Sequence, residues 1–260
     1  MNFAKKSLGQ HFLIDKNIVK KIVNLENLKG KDIIEIGPGK GALTEEILNS
    51  NPKSIKLIEK DFNLFNLLKS RFKNQKTITI FNSDILKFKI DKILTKNTVI
   101  IGNLPYNISS QILIKILKIK WPPKFRSLIF MFQKELGEKI LGKFGSKDYG
   151  RLSILSNYRL LIKSKFLVSK NCFFPKPKVT SIVINFVPKS RNIIKIKDLS
   201  NLEKVTNILF SNKRKMINKN LKKLINTKDV KSLKDLSLDY RPAELRPEIF
   251  YKIAKIYEMK

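Results

Sequence analysis

DIIEIGPGKGALTEEI (32–47) opens on an unbroken apolar run, turns on closely spaced glycines and continues with helical spacing. Such an order describes a buried strand, a tight turn and a helix, the first unit of a parallel sheet. Gly37 and Gly39 allow the backbone to turn sharply and to approach a ligand closely. In open parallel sheets, ligands sit at the carboxyl ends of the strands where the strand order reverses.

Working outward, the same alternation repeats. A helix is expected at 41–50, a strand in IKLIEK (55–60) and a helix at 61–71. Strands follow in TITIFNSD (77–84) and NTVIIGN (97–103), a helix at 107–119 and a strand in SLIFMFQ (127–133). Helices near 134–142 and 151–161 precede SKFLVS (164–169) and VTSIVINFV (179–187), which would close the sheet as a final pair. The expectation is an α/β fold. After Pro188 the pattern changes, and from Leu199 onward only helical periodicity remains. A sheet domain over 1–188 and a small helical domain over 199–260 are therefore expected.

The chain has 260 residues with 54 Lys plus Arg against 21 Asp plus Glu, a net charge of +33. Residues 198–260 hold 15 basic and 8 acidic side chains, a net +7 that leaves +26 on the first 197 residues. Such a field draws a protein to polyanions. Only eight of the basic residues are Arg, and Ile and Asn are also abundant. Codon bias of an A+T-rich genome would produce the same enrichment. The single cysteine, Cys172, can form no internal disulfide, which fits a reducing compartment. No apolar run approaches ~18 residues, and the start MNFAKKSLGQHFLID lacks the apolar core of a signal peptide. A cytoplasmic protein without membrane contact is expected. With one histidine, His11, and one cysteine far apart, no metal site is expected.

Two kinds of cofactor suit the glycine loop. Gly37-x-Gly39-x-x-Ala42 satisfies the dinucleotide fingerprint, and Glu59 at the end of the second strand could accept hydrogen bonds from ribose hydroxyls. Both features serve a nicotinamide cofactor and S-adenosylmethionine, since both carry an adenosine. Asp84 ends the third strand, where a carboxylate could accept a hydrogen bond from an adenine amino group or act as a helix cap. Asn103-Leu104-Pro105-Tyr106 follows the fourth strand. An adenine amino nitrogen is a poor nucleophile because its lone pair is delocalised into the ring. Acceptors at the Asn103 side-chain oxygen and the Leu104 carbonyl, set against its two N–H bonds, would free that lone pair. Pro105 would stiffen the loop, and Tyr106 could stack on an extruded base.

With Glu35 placed two residues before Gly37, the loop resembles the first motif of the Rossmann-like class I methyltransferases. Asn103–Tyr106 is similar to the N-[L/I]-P-Y form of the amino-methyltransferase motif. Further segments extend the likeness: SLGQHFL (7–13), FQKELGEKI (132–140), YGRLSILSNY (149–158), FFPKPKVTSIV (173–183), FSNKRKMINKNL (210–221) and RPAELRPEIFYKIA (241–254). The whole chain thereby resembles the ribosomal RNA adenine dimethyltransferases, in their bacterial small-subunit branch. That resemblance implies S-adenosylmethionine as cofactor, bound by His11, Leu13, Glu35, Gly37, Gly39, Glu59, Asp84 and Asn103. It implies Asn103, Leu104, Pro105 and Tyr106 at the target adenine, with Phe173 on the base's other side. It also implies a basic helix carrying Lys213, Arg214, Lys215 and Lys219 to RNA. Lys213 and Lys219 stand where arginines are common, so bidentate phosphate contacts are not expected there. Arg246 departs from the usual serine and is given no role.

The implied reaction is dimethylation of the N6 atoms of two adjacent adenosines in a hairpin near the 3′ end of small-subunit (16S) RNA, on pre-30S particles, by a monomer. Two alternatives differ in class. One is a large-subunit (23S) adenine methyltransferase; the other is a non-catalytic RNA-binding assembly factor on the same fold.

Overall fold

The computed structural model describes residues 10–190, 192–233 and 236–259. The chain begins with a short strand β1 (Phe12–Leu13) and helix α1 (Lys16–Val23), followed by β2 (Asp32–Ile36), α2 (Ala42–Asn49), β3 (Ser54–Glu59), α3 (Phe62–Arg71) and β4 (Ile78–Asn82). Next come β5 (Thr98–Asn103), α4 (Ser109–Leu117), β6 (Ser127–Gln133), α5 (Lys134–Leu141), α6 (Arg151–Arg159) and β7 (Leu160–Val168). β8 (Phe173–Phe174) and β9 (Ser181–Pro188) complete the strands. The helices α7 (Leu199–Phe210), α8 (Asn218–Leu221), α9 (Thr227–Ser232) and α10 (Pro247–Tyr257) end the chain.

Seven strands form one sheet in the order β4-β3-β2-β5-β6-β9-β7. β2 pairs in parallel with β3 on one side and with β5 on the other, so the strand order reverses between β2 and β5. β9 runs antiparallel to β6. All five residues of β2 and the first five of β5 are buried, as required of central strands covered on both faces. The core beneath them gathers Ile33, Leu57, Val99, Ile101 and Met131 with Ile22 and Val23 of α1. The expected α/β architecture is present, and β7 and β9 do close the sheet as neighbours.

Three features differ from the sequence reading. Helix α1 was not anticipated. Asp15 caps it by accepting hydrogen bonds from the amides of Asn17 (2.9 Å) and Ile18 (3.1 Å). β1 and β8 form a second, two-stranded sheet, with Phe12 opposite Phe174 and Leu13 opposite Phe173. The third difference concerns the domain boundary. The chain divides into two compact units. One takes the chain to Lys115, with Ile119–Gly137 and Leu161–Pro188. The other takes Ile116–Lys118, Glu138–Leu160 and the chain from Lys189. Residues 138–160, expected in the sheet domain, pack with the helical unit because their aromatics belong to its core. Tyr149 donates to the Leu245 carbonyl (2.8 Å), and the rings of Tyr158 and Tyr251 lie 4.9 Å apart. Phe210 stacks on Phe250 at 5.5 Å, between buried residues of α7 (Leu202, Val205, Leu209) and α10 (Ile253, Ala254).

Among the described residues no helix is long and apolar enough to cross a membrane.

Candidate active site

The carboxyl ends of β2, β3 and β5 meet at two adjoining cavities of about 130 and 90 Å3. Both are lined by Gln10, Gly37, Glu59 and Pro105. The larger holds Glu35, Asn103, Leu104 and Tyr106; the smaller holds Asp84. The topological switch point thus coincides with the residues that the glycine loop and the Asn103 loop nominate.

The glycine turn is built for close approach. Gly37 and Gly39 have φ of +67° and +59°, values that L side chains rarely adopt. A side chain at residue 39 would come within 2.9 Å of the Phe12 ring. The Gly39 amide is held by Glu59, whose Oε2 accepts from it at 3.1 Å, while Oε1 accepts from the Asp61 amide at 2.9 Å. Glu59 therefore ties the end of β3 to the turn after β2, and its carboxylate still faces both cavities. Burial raises its pKa above the usual carboxylate range.

Glu35 is buried on β2 and accepts a hydrogen bond from Thr44 Oγ1 at 2.6 Å. Burial pushes its pKa up to about 7, helped by the nearby Glu59 carboxylate. An acid whose folded pKa is raised contributes its full stabilisation below its unfolded value of 4.5. That contribution is lost as pH rises through about 7. Stability of the protein is thus expected to fall between pH 5 and pH 8, with Glu35 supplying about 3 kcal/mol of the change. Glu35→Gln should flatten the dependence. Chemical denaturation of both proteins at the two pH values checks it, and parallel curves would contradict it.

Asp84 behaves differently because it is only partly buried and has a cation beside it. Lys60 pairs with it at 2.9 Å, and the Leu86 amide donates to it at 2.9 Å. The Lys60 ammonium holds its carboxyl below the ordinary range.

Asn103 ends β5, and its side-chain NH2 donates to the His11 carbonyl at 2.8 Å. This bond decides which way the amide faces: the donor end is used on the protein, so Oδ1 is left as an acceptor. Among the described residues nothing donates to Oδ1 or to the Leu104 carbonyl. Pro105 and Tyr106 follow directly. The Tyr106 hydroxyl bonds Ser181 Oγ at 2.6 Å, and the His11 ring stacks on the Tyr106 ring at 5.3 Å with 29° between planes. His11 Nδ1 in turn bonds the Pro175 carbonyl at 2.7 Å. The segment around His11 thereby braces both the Asn103 amide and the Tyr106 ring. Leu13 is buried at the cavity wall.

The nominated residues therefore assemble at one place, with two exceptions. Phe173 does not line the cavity; it is 2% exposed in the core, whereas Phe174 is 56% exposed and does line it. Successive residues of a strand point to opposite faces. The pairing of β8 with β1 sends Phe173 inward beside Leu13. The sequence did not distinguish the two rings, since the FF doublet signals only that one of them faces out. The second exception is the basic segment. Lys213, Arg214, Lys215 and Lys219 are exposed, but they do not share one helix: α7 ends at Phe210 and the chain turns before α8. Residues 211–216 are all exposed, which leaves no apolar stripe to seat a helix, and Ile217 is drawn into the core with its amide bonded to the Tyr240 carbonyl at 2.9 Å. Ser7, Leu8 and Gly9 lie outside the described residues. Arg246 stands at the N-terminal boundary of α10 without capping it through its side chain, and lies over the Phe144 ring at 5.8 Å.

Comparison with known proteins bears on this arrangement. Residues 1–259 match the family described as ribosomal RNA adenine dimethylase. The chain is 44% identical to ribosomal RNA small subunit methyltransferase A of Pelagibacter ubique, over 98% of this chain and 97% of that protein. It is 40% identical to the protein of the same name from Malacoplasma penetrans, over 96% and 91%. Among solved structures it is similar to a dimethyladenosine transferase from Plasmodium falciparum, with a TM-score of 0.75, 26% identity and 94% and 96% coverage. It shares the fold of the 23S rRNA methyltransferase ErmE, with a TM-score of 0.69, 22% identity and 94% and 99% coverage.

Proposed function

This chain belongs to the ribosomal RNA adenine dimethylase family, and from that premise we propose that Asn103, Leu104 and Tyr106 present the N6 atoms of two adjacent adenosines of small-subunit RNA for methylation. The protein is an S-adenosylmethionine-dependent methyltransferase of ribosomal RNA adenines. The observation that carries the site assignment is the Asn103 amide, turned by the His11 carbonyl so that its oxygen is free to accept.

The residues fit the cofactor. The turn at Gly37 and Gly39 lines the larger cavity without side chains, where a Cβ at position 39 would strike the Phe12 ring, and the Glu59 carboxylate faces the same cavity. Glu59 would take the ribose hydroxyls, Asp84 in the adjoining cavity the adenine amino group, and the walls near Leu13 and Glu35 the remainder. When bound, S-adenosylmethionine supplies a methyl group already activated by its sulfonium charge. The protein then has no need of a strong base. Asn103 Oδ1 and the Leu104 carbonyl accept the two N–H bonds of the target amino group, which localises its lone pair. Pro105 limits the movement of the two acceptors. Preorganised acceptors of this kind cost no reorientation as charge develops.

RNA is held by the positive surface. We place Lys213, Arg214, Lys215 and Lys219 of the helical unit on phosphates, from the exposure of all four. Binding of small-subunit RNA should weaken steeply with salt, and Arg214→Ala with Lys215→Ala should lower the slope of log affinity against log salt by roughly two units or slightly less. Filter binding across a salt series checks this, and an unchanged slope would move the RNA path elsewhere. The particle rather than free RNA is the proposed substrate, and the protein acts on it as a monomer in the cytoplasm. Methyl transfer to particles lacking the modification, compared with deproteinised 16S and 23S RNA, tests this. Preferential transfer to 23S RNA would favour the large-subunit reading.

A further inference from the structure

Phe62 opens α3 with its side chain 62% exposed, more than any other Phe, Tyr or Trp among the described residues. A lone exposed apolar residue is ordinary on a protein surface; three observations set this one apart. First, the ring belongs to a built face. It stacks on Phe65 at 6.2 Å with 28° between planes, and the Lys69 ammonium lies 5.5 Å from the centre of the Phe65 ring. Residues 62, 65 and 69 follow at spacings of three and four, so they share one side of the helix. Second, the surroundings are basic. Residues 60–92 hold eight Lys plus Arg, all exposed, against three Asp. Of those acids, Asp61 is buried as the cap of α3 and Asp84 is paired with Lys60. Third, α3 leaves the carboxyl end of β3 directly after Glu59. Phe62 therefore stands on the rim of the sheet that carries the active site, yet it lines neither cavity. An exposed aromatic pair with a cation along the same face is the arrangement that stacks an unpaired nucleobase and holds its phosphate.

We propose that α3 carries a second RNA contact outside the reacting pocket: an unpaired base of the substrate RNA stacks on Phe62, with Lys69 on the phosphate beside it. The proposal rests on the RNA-methyltransferase reading above. Stacking makes no demand on base identity. The contact therefore adds affinity and holds the RNA over the rim of the sheet, while choice of the adenine stays with Asn103 and Leu104. Charge complementarity selects RNA as the partner. No further large apolar side chain is exposed on residues 15–143, which argues against an apolar protein surface.

The test measures binding to small-subunit particles lacking the modification, and their methylation at saturation, for full-length wild type, Phe62→Ala, Phe62→Leu and Phe62→Trp. Phe62→Ala should weaken particle binding by roughly 5- to 150-fold, the equivalent of about 1–3 kcal/mol per stacked base. The rate at saturating particle, the dissociation constant for S-adenosylmethionine and the melting temperature should hardly move, because the ring is exposed and lines neither cavity. Phe62→Trp should bind as wild type does and Phe62→Leu should not. A dissociation constant for Phe62→Ala within about twofold of wild type, a bar set below the stacking range, overturns the proposal, as does leucine binding as tightly as tryptophan. Photo-crosslinking from p-benzoylphenylalanine placed at position 62 identifies the partner: adducts to RNA are expected, and adducts to ribosomal protein alone overturn the assignment. Lys69→Gln should lower the salt slope of particle binding by roughly 0.7–0.9; no change in slope removes the phosphate contact. Wild type that binds particles but methylates no RNA would defeat the underlying reading, an outcome distinct from any of these.

Discussion

Asn103→Ala is expected to cut single-turnover methyl transfer by roughly 100- to 1,000-fold, the loss typical of removing one preorganised polar group from a reacting centre. RNA affinity should change little. The Asn103 amide joins two parts of the site: its NH2 end holds the His11 carbonyl at 2.8 Å, and its oxygen is the acceptor for the target amino group. Alanine removes both. Asn103→Asp separates the roles, because it keeps an acceptor but can no longer donate to His11. Its carboxylate would sit against the His11 carbonyl, and a partial loss of rate with a displaced His11 ring is expected. Rapid-quench measurement with saturating enzyme reads the chemical step directly. A fall of less than about fivefold for Asn103→Ala, well short of the expected range, would mean that Oδ1 is not the acceptor.

Glu59→Ala should weaken S-adenosylmethionine binding by roughly 10- to 150-fold, from about 1.5–3 kcal/mol for a hydrogen bond to a charged group. The carboxylate has two roles here as well. It faces the cavity, and it also accepts from the Gly39 and Asp61 amides at 3.1 and 2.9 Å. Alanine therefore loses the ligand contact and loosens the glycine turn, while Glu59→Gln keeps the size of the side chain and one acceptor oxygen. Calorimetric titration of both variants should order the affinities as wild type, glutamine, alanine. Equal affinities in folded protein would remove Glu59 from the cofactor's binding site.

Much of this site was legible in the sequence because its parts are short and local. A buried strand followed by glycines, an acid at the next strand end and Asn-Leu-Pro-Tyr after the fourth strand of the large sheet each carry their signal within a few residues. Parallel topology then brings those ends together with no further information. The illegible parts depend on pairing across distance. β1 and β8 are two residues each, too short for any alternation to be read, yet their register decides that Phe173 is buried and Phe174 exposed. The bracing of Asn103 by the His11 carbonyl spans 92 residues. Helix α1 did carry a readable pattern, with Asp15 ahead of apolar residues at 18, 19, 22 and 23. The basic run at 213–219 resembles a helix by motif, but Ile217 buries itself and breaks it, an outcome set by the core of the helical unit.

The most direct test of the central claim is nucleoside mass spectrometry of 16S RNA from unmodified small-subunit particles after incubation with the protein and isotopically labelled S-adenosylmethionine. The expected result is N6,N6-dimethyladenosine at two neighbouring positions of one hairpin near the 3′ end, with labelled methyl groups on both, and none with Asn103→Ala on the same timescale. Label confined to other atoms or other RNA, or no label at all from a folded protein that binds the cofactor, would contradict it.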